Sequence, residues 1–219
     1  MLNFTTSEEN YLKTIYHLQT RDNNVTTNEL AERLHTRPAS ITDMMKKLKS
    51  RKLVNYQPYQ GFRLTAEGKK VALSIVRRHR LWEYFLAEKL NFSWDEVHEV
   101  AEQLEHVSNK KLIDKLDEYL AYPKFDPHGD PIPDINGKME TGKQISLPDL
   151  PVNKPARICY VANQSTLLFE YLQEKKIHIG DSVVVKRKFA YDNSLEIKID
   201  NNLPQTITGE LGKNIFVKT

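Results

Sequence analysis

The amino-acid sequence predicts a mainly α-helical protein with small β parts: an N-terminal winged helix-turn-helix, a helical middle and a small C-terminal β-barrel. Three observations carry this expectation. Apolar residues recur at helical spacing through most of the chain up to Leu120, interrupted by one hairpin signal. The stretch 122–155 then holds seven of the ten prolines and has no periodicity. Beyond it, short strand-like runs alternate with turns.

The first helix is expected to begin near Ser7. Glu8 and Glu9 suit the positive end of its dipole, and Tyr11, Leu12, Ile15, Tyr16 and Leu18 share one face. The polar run 21–24 ends it. Thr26 with Glu29 forms a capping box opening a short helix that buries Leu30, Ala31 and Leu34. After a turn at His35-Thr36-Arg37, Pro38 suits the first turn of a helix that buries Ile41, Met44, Met45 and Leu48 and exposes Lys46, Lys47, Lys49 and Arg51. Two strand candidates, 53–56 and 62–64, follow with the turn Gln57-Pro58-Tyr59-Gln60-Gly61 between them, which reads as a wing. Thr65 caps a long helix over 66–90 that carries Arg77-Arg78-His79-Arg80 and an apolar stripe through Trp82, Phe85 and Leu86. Ser93 with Glu96 opens the next helix, and a further one carries Leu112, Ile113, Leu116, Tyr119 and Leu120. Strands are expected at 157–161, 182–187, 195–199 and 215–217, with one short helix around 166–174.

The net charge of +3 conceals an asymmetry. Segment 36–80 has 12 Lys or Arg against Asp43 and Glu67, whereas 83–118 has ten acids against four lysines. The first suits a polyanion such as DNA, because neutralised phosphates release counterions; the second suits metal cations. No apolar run reaches the roughly 18 to 20 residues that cross a bilayer, and the N-terminus lacks a signal-peptide pattern, so a cytoplasmic protein without a membrane partner is expected. The single cysteine, Cys159, reads as a buried inert thiol.

In a helix-turn-helix the start of the second helix reaches base edges, which nominates Arg37, Ala39, Ser40, Thr42 and Asp43. Lys46, Lys47, Arg51 and the wing residues Tyr59 and Arg63 are expected at the DNA backbone. On the acidic helix, His98, Glu102, Glu105 and His106 stand at i, i+4, i+7 and i+8, and His79 and Glu83 are also i, i+4. Each pair alone reads more readily as a solvated polar face; two sets together point to a metal site. Imidazole and carboxylate donors without a thiolate lean towards Mn²⁺ or Fe²⁺ over Cu⁺, while Zn²⁺ binds by raw affinity. No His-Glu-x-x-His, Gly-rich phosphate loop or Gly-x-Ser-x-Gly elbow occurs, so no enzyme is expected.

The chain resembles the iron- and manganese-dependent repressors of the diphtheria toxin repressor family. The resemblance rests on Ser7-Glu8-Glu9-Asn10-Tyr11-Leu12-Lys13-Thr14-Ile15-Tyr16, Arg37-Pro38-Ala39-Ser40-Ile41-Thr42, Arg78-His79-Arg80-Leu81, Glu102-Gln103-Leu104-Glu105-His106-Val107 and Pro127-His128-Gly129-Asp130-Pro131-Ile132-Pro133. It implies a DNA-binding domain over 1–74, a helical dimerisation and metal-binding domain over 75–140, a linker over 141–155 and an SH3-like (FeoA-like) β domain over 156–219. By position, it implies an effector site of Asn10, Glu102, Glu105 and His106 and an ancillary site of His79, Glu83 and His98. Asn10 stands where iron-type members have Met and manganese-type members Asp. Glu102 stands where iron-type members have Cys, which tips the balance towards Mn²⁺. Asp126 stands where some manganese regulators place a Cys ligand. Asn163, Gln164 and Ser165 lie where the C-terminal domain of some members donates a ligand. The implied function is a homodimeric repressor of metal-uptake genes, activated by Mn²⁺ or Fe²⁺ on a palindromic double-stranded operator. The alternative is a winged-helix regulator whose helical domain is a dimerisation scaffold sensing a non-metal signal.

Overall fold

The computed structural model describes residues 4–19, 24–57, 61–107, 109–140, 144–162 and 166–218. Helix α1 (Thr6–Gln19) starts at a capping box: the Thr5 N–H donates to Glu8 Oε2 at 2.9 Å and the Glu8 N–H to Thr5 Oγ1 at 3.3 Å. Thr26 and Glu29 open α2 (Thr27–Arg33) in the same way. Pro38 begins α3 (Pro38–Ser50). Strands β1 (Val54–Gln57) and β2 (Gly61–Leu64) form an antiparallel hairpin in which Val54 pairs with Leu64 and Gln57 with Gly61. Val25 adds a third edge through two backbone hydrogen bonds with Phe62, at 3.0 and 2.7 Å. A single-residue bridge leaves no periodic signal, which is why the sequence does not announce it. Gly61 has a φ of 89°, and a Cβ there would sit 2.7 Å from the Val25 carbonyl oxygen, so both conformation and contact demand glycine.

These elements close over one core, in which Leu12, Ile15, Leu30, Ile41, Met45, Leu48, Phe62 and Ile75 are almost wholly buried. Met44, expected inside, is only partly buried at its edge. Helix α4 (Ala66–Leu90) leaves the hairpin after one residue, Thr65, whose hydroxyl accepts the Gly68 N–H at 3.0 Å. Helices α5 (Trp94–Leu104) and α6 (Lys110–Tyr119) follow. Because α5 stops at Leu104, Glu105 and His106 lie in the turn beyond it and not on the helical face that their spacing predicts. Two compact units result. One comprises Met1–Trp82, Glu102–Tyr119 and Pro133–Met139, the other Glu83–Ala101, Leu120–Ile132 and Glu140–Thr219. No helix among the described residues is long and apolar enough to cross a membrane.

The C-terminal part contains β3 (Ile145–Ser146), a 3₁₀ turn at Leu147–Asp149, β4 (Pro155–Val161), α7 (Thr166–Glu174), β5 (Ser182–Lys188), β6 (Leu195–Ile199), β7 (Gln205–Ile207), α8 (Gly209–Asn214) and β8 (Ile215–Lys218). The strands form one antiparallel sheet in the order β3-β8-β4-β5-β6-β7. Alternating Leu195, Ile197 and Ile199 face a core shared with Phe169 and Leu172 of α7. Register shifts between Ile158 and Tyr160 and between Val185 and Arg187 break the regular ladder and bend the strands around that core. The expected linker 141–155 is shorter than its composition suggests. Ile145 pairs with Val217, and Leu147 and Leu150 are fully buried in the β-domain core, a role hidden by the neighbouring prolines. Cys159 is half-buried; its thiol donates to the Phe216 carbonyl at 3.4 Å, and burial pushes its pKa up, consistent with an inert thiol.

Candidate metal centre and nucleic-acid interface

His79 and Glu83 stand one turn apart on α4 and are both buried. Glu83 Oε1 lies 3.1 Å from His98 Nδ1 of α5 and 3.9 Å from His128 Nδ1. Glu83, Asp126 and His128, all buried, each bring one potential ligand atom within 4.8 Å of the others. Asp126 Oδ1 accepts the backbone N–H groups of His128 and Asp130, both at 2.9 Å, which fixes the carboxylate in an Asx turn. The His128 ring packs on Phe169 with centroids 5.1 Å apart, and its carbonyl accepts the Val161 N–H at 3.4 Å. Gly129, at a φ of 84°, passes the Cys159 carbonyl so closely that a Cβ would overlap it. The loop behind Asp126 is therefore clamped to β4. Two carboxylates with imidazoles around them form a nitrogen and oxygen donor set that fits a hard to borderline divalent cation. Sequence reasoning named Asp126 and missed His128, although the Asp-Pro-His-Gly spacing carried the signal. Asn163, Gln164 and Ser165 lie outside the described residues.

A second cluster gathers around Glu105, which is 1% exposed. Its Oε2 receives Lys13 Nζ at 2.6 Å and His79 Nδ1 at 2.7 Å. Burial alone would raise the Glu105 carboxyl, but the His79 hydrogen bond and the charge of Lys13 outweigh it and hold it below the ordinary value. An ionised carboxylate only accepts, so His79 Nδ1 carries the hydrogen, and in the neutral ring Nε2 carries the lone pair. His106 Nδ1 lies 2.7 Å from Glu9 Oε2, and Glu9 Oε1 receives Arg78 Nη2 at 2.7 Å. Arg78 Nε also donates to the Glu105 carbonyl. Of the effector set implied by position, Glu105 and His106 are thus drawn together. Glu102 is exposed, 3.6 Å from Lys13 Nζ, and Asn10 is exposed as well. Glu9 and Lys13 were not anticipated as site residues, because a charged residue in the first turns of a helix ordinarily reads as dipole or surface chemistry.

On the basic side, Arg37, Ala39, Ser40, Asp43, Lys46, Lys47 and Arg63 are exposed. Thr42 is half-buried and its hydroxyl donates to the Pro38 carbonyl at 3.1 Å. Lys46 pairs with Asp43 at 3.2 Å on an open surface. Arg51, expected at the DNA backbone, instead donates to buried Glu8 at 2.6 Å and stacks over Phe4, while Lys47 lies 3.4 Å from the same Glu8 oxygen. Tyr59 lies outside the described residues.

Three family models match successive segments of the chain. The model of the iron dependent repressor N-terminal DNA binding domain matches residues 3–62, that of the iron dependent repressor metal binding and dimerisation domain matches 65–134, and that of the FeoA domain matches 145–219. The HTH-type transcriptional regulator MntR of Oceanobacillus iheyensis is 34% identical over 122 residues, 56% of this chain and 82% of the relative. The chain belongs to the iron-dependent repressor family. Its function is that of the family, metal-dependent DNA-binding repression of transcription. Among other family members, the iron-dependent repressor IdeR of Mycobacterium leprae is 27% identical over 157 residues, 68% of each chain. A manganese-dependent transcriptional repressor solved in complex with manganese superposes with a TM-score of 0.83 at 29% identity, over 96% of this chain and 98% of that one. The manganese regulator SloR gives 0.73 at 30% identity, over 98% and 99%.

Proposed function

We propose that this family member is a cytoplasmic, homodimeric repressor activated by Mn²⁺, with Glu83, Asp126 and His128 as principal ligands and His98 beside them. The observation that carries the reading is the convergence of Glu83, Asp126 and His128 within 4.8 Å in a buried space. The donors are oxygen and imidazole nitrogen, and the chain's one cysteine is engaged with Phe216, which favours Mn²⁺ and Fe²⁺ over thiophilic metals. Asp126 adds a hard oxygen donor and tips the choice to Mn²⁺.

A cation bound there supplies charge neutralisation and a fixed junction among these side chains. The protein's own residues do the rest. Glu83 and Asp126 place two carboxylates side by side away from water, an arrangement that is costly until a counter-charge arrives. In the N-terminal unit, His79 Nδ1 is held by Glu105, and Glu105 is held in turn by Lys13 of α1. That run of contacts ties α4 to the first helix of the DNA-binding domain. A preference of a few kcal/mol for one setting of the reading helices makes an effective switch, and a dimer reads successive half-sites about 34 to 36 Å apart. Arg37, Ala39, Ser40, Thr42 and Asp43 address base edges, while Lys46, Lys47 and Arg63 meet phosphates.

The test is fluorescence anisotropy on DNA selected from a random pool, with MnCl₂, with FeCl₂ under anaerobic conditions, and with chelator. Wild type is expected to bind specifically only with metal, and Glu83→Gln to lose that response. Specific binding that ignores metal and chelator alike sinks the reading and favours a regulator of a non-metal signal.

A further inference from the structure

The cluster around Glu105 is already charge-complete. Its two buried carboxylates, Glu9 and Glu105, each hold a basic side chain, with Arg78 on Glu9 at 2.7 Å and Lys13 on Glu105 at 2.6 Å. Lys13 Nζ also lies 3.6 Å from Glu102 and 3.5 Å from His79 Nδ1, so the ammonium faces three of the residues expected to serve metal ions. The lysine side chain is 13% exposed, hence largely enclosed by this cluster. Asn10 brings no negative charge and is exposed. The remaining donor pair, His106 Nε2 and Glu105 Oε1, stands 3.7 Å apart. A divalent cation entering between them meets Lys13 on the other oxygen of the same carboxylate, in a buried setting where like charges repel strongly.

We infer that Lys13 is the resident cation of this second cluster: its ammonium occupies the charge position of a metal ion, ties α1 to Glu105 without metal, and excludes Mn²⁺ from Glu102, Glu105 and His106. The second cluster is then a permanent tether between α1, α4 and the turn after α5. Metal responsiveness is left to the Glu83 centre, and the inference rests on that reading only for counting bound equivalents.

The test counts Mn²⁺ bound per chain by electron paramagnetic resonance of free Mn²⁺ during titration of the full-length protein with MnCl₂. Lys13→Gln is expected to bind one more equivalent than wild type, and Glu105→Gln added to it to remove that equivalent. Lys13→Arg, which keeps the charge, is expected to gain none. Glu105→Gln alone is expected to bind as many equivalents as wild type, a comparison that does not depend on the Lys13 variants folding. The inference is overturned if Lys13→Gln folds and gains nothing, if Lys13→Arg gains as much, or if Glu105→Gln alone loses an equivalent. Failure of the Glu83 centre reads differently: Glu83→Gln then keeps the full wild-type complement while the Lys13 series still gives its own answer.

Discussion

Asp126 Oδ1 accepts the backbone N–H of His128 at 2.9 Å, so one candidate ligand orients the next. Asp126→Asn retains an oxygen acceptor for that bond but removes the charge. It is expected to fold as wild type and to bind Mn²⁺ at least about tenfold more weakly, given that even residues behind a ligand are worth roughly 10- to 100-fold. Asp126→Ala also unties the turn and should cost a further ~1–2 kcal/mol of stability. Mn²⁺ titration and urea unfolding of the two variants separate the effects; equal metal affinity in all three proteins removes Asp126 from the site.

Gly129→Ala changes no ligand, yet its methyl group meets the Cys159 carbonyl at a backbone φ of 84°. The variant is expected to lose about 1–3 kcal/mol through strain and to bind Mn²⁺ more weakly because His128 is displaced with its neighbour. Calorimetry and Mn²⁺ titration check both; a wild-type affinity in the folded variant would show that the clamp does not position His128.

Glu8 offers a pH-dependent signature. Burial raises its carboxyl pKa, but the Thr5 backbone hydrogen bond, the Arg51 hydrogen bond and charge, and Lys47 outweigh it and lower it from 4.5 to about 2. A value depressed in the folded state means that the stabilisation is complete above pH 4.5 and disappears as the pH falls towards 2. Glu8→Gln is expected to be about 1–3 kcal/mol less stable than wild type at pH 7, with the gap narrowing through that window. Denaturant unfolding at pH 7, 4 and 3 measures it; a gap independent of pH contradicts the ion-pair account.

Lys46 and Arg51 should separate on DNA. The Lys46–Asp43 pair is exposed on both sides and therefore weak, which leaves the ammonium available to phosphate. Lys46→Ala is expected to weaken binding across all sequences and to flatten the salt dependence by about one unit for each phosphate that is no longer neutralised. Arg51→Ala, which strips buried Glu8 of its guanidinium, should alter the salt slope less and the stability more. Anisotropy titrations over a range of KCl concentrations decide between them.

Much of the helical part of the chain could be read from residues alone, because capping boxes at Thr26 and Ser93, Pro38 at a helix start, and the spacing of Ile41, Met45 and Leu48 are local signals. The pairing of Val25 with Phe62 and the placement of Leu147 and Leu150 in the β core are long-range contacts without a local pattern. The residues of the two candidate clusters divided in the same way. His79, Glu83, His98, Glu105 and His106 were conspicuous by type and spacing. Glu9, Lys13 and His128 acquire meaning only when α1 meets Glu105 and when the turn at Asp126 brings His128 to Glu83. Arg51 illustrates the converse, since a basic residue at the end of a reading helix looks like a phosphate contact until buried Glu8 is found beneath it.

Helix α4 runs unbroken from one residue past the wing to beyond Glu83. Each residue of an α-helix turns the chain by about 100° and advances it by about 1.5 Å. One inserted or deleted residue between Gly68 and His79 would therefore swing His79 out of register with Lys13 of α1 while leaving every side chain chemically intact. Natural variation in this stretch should accumulate as replacements and avoid changes of length, so the spacing between wing and His79 behaves as an inherited dimension of the protein.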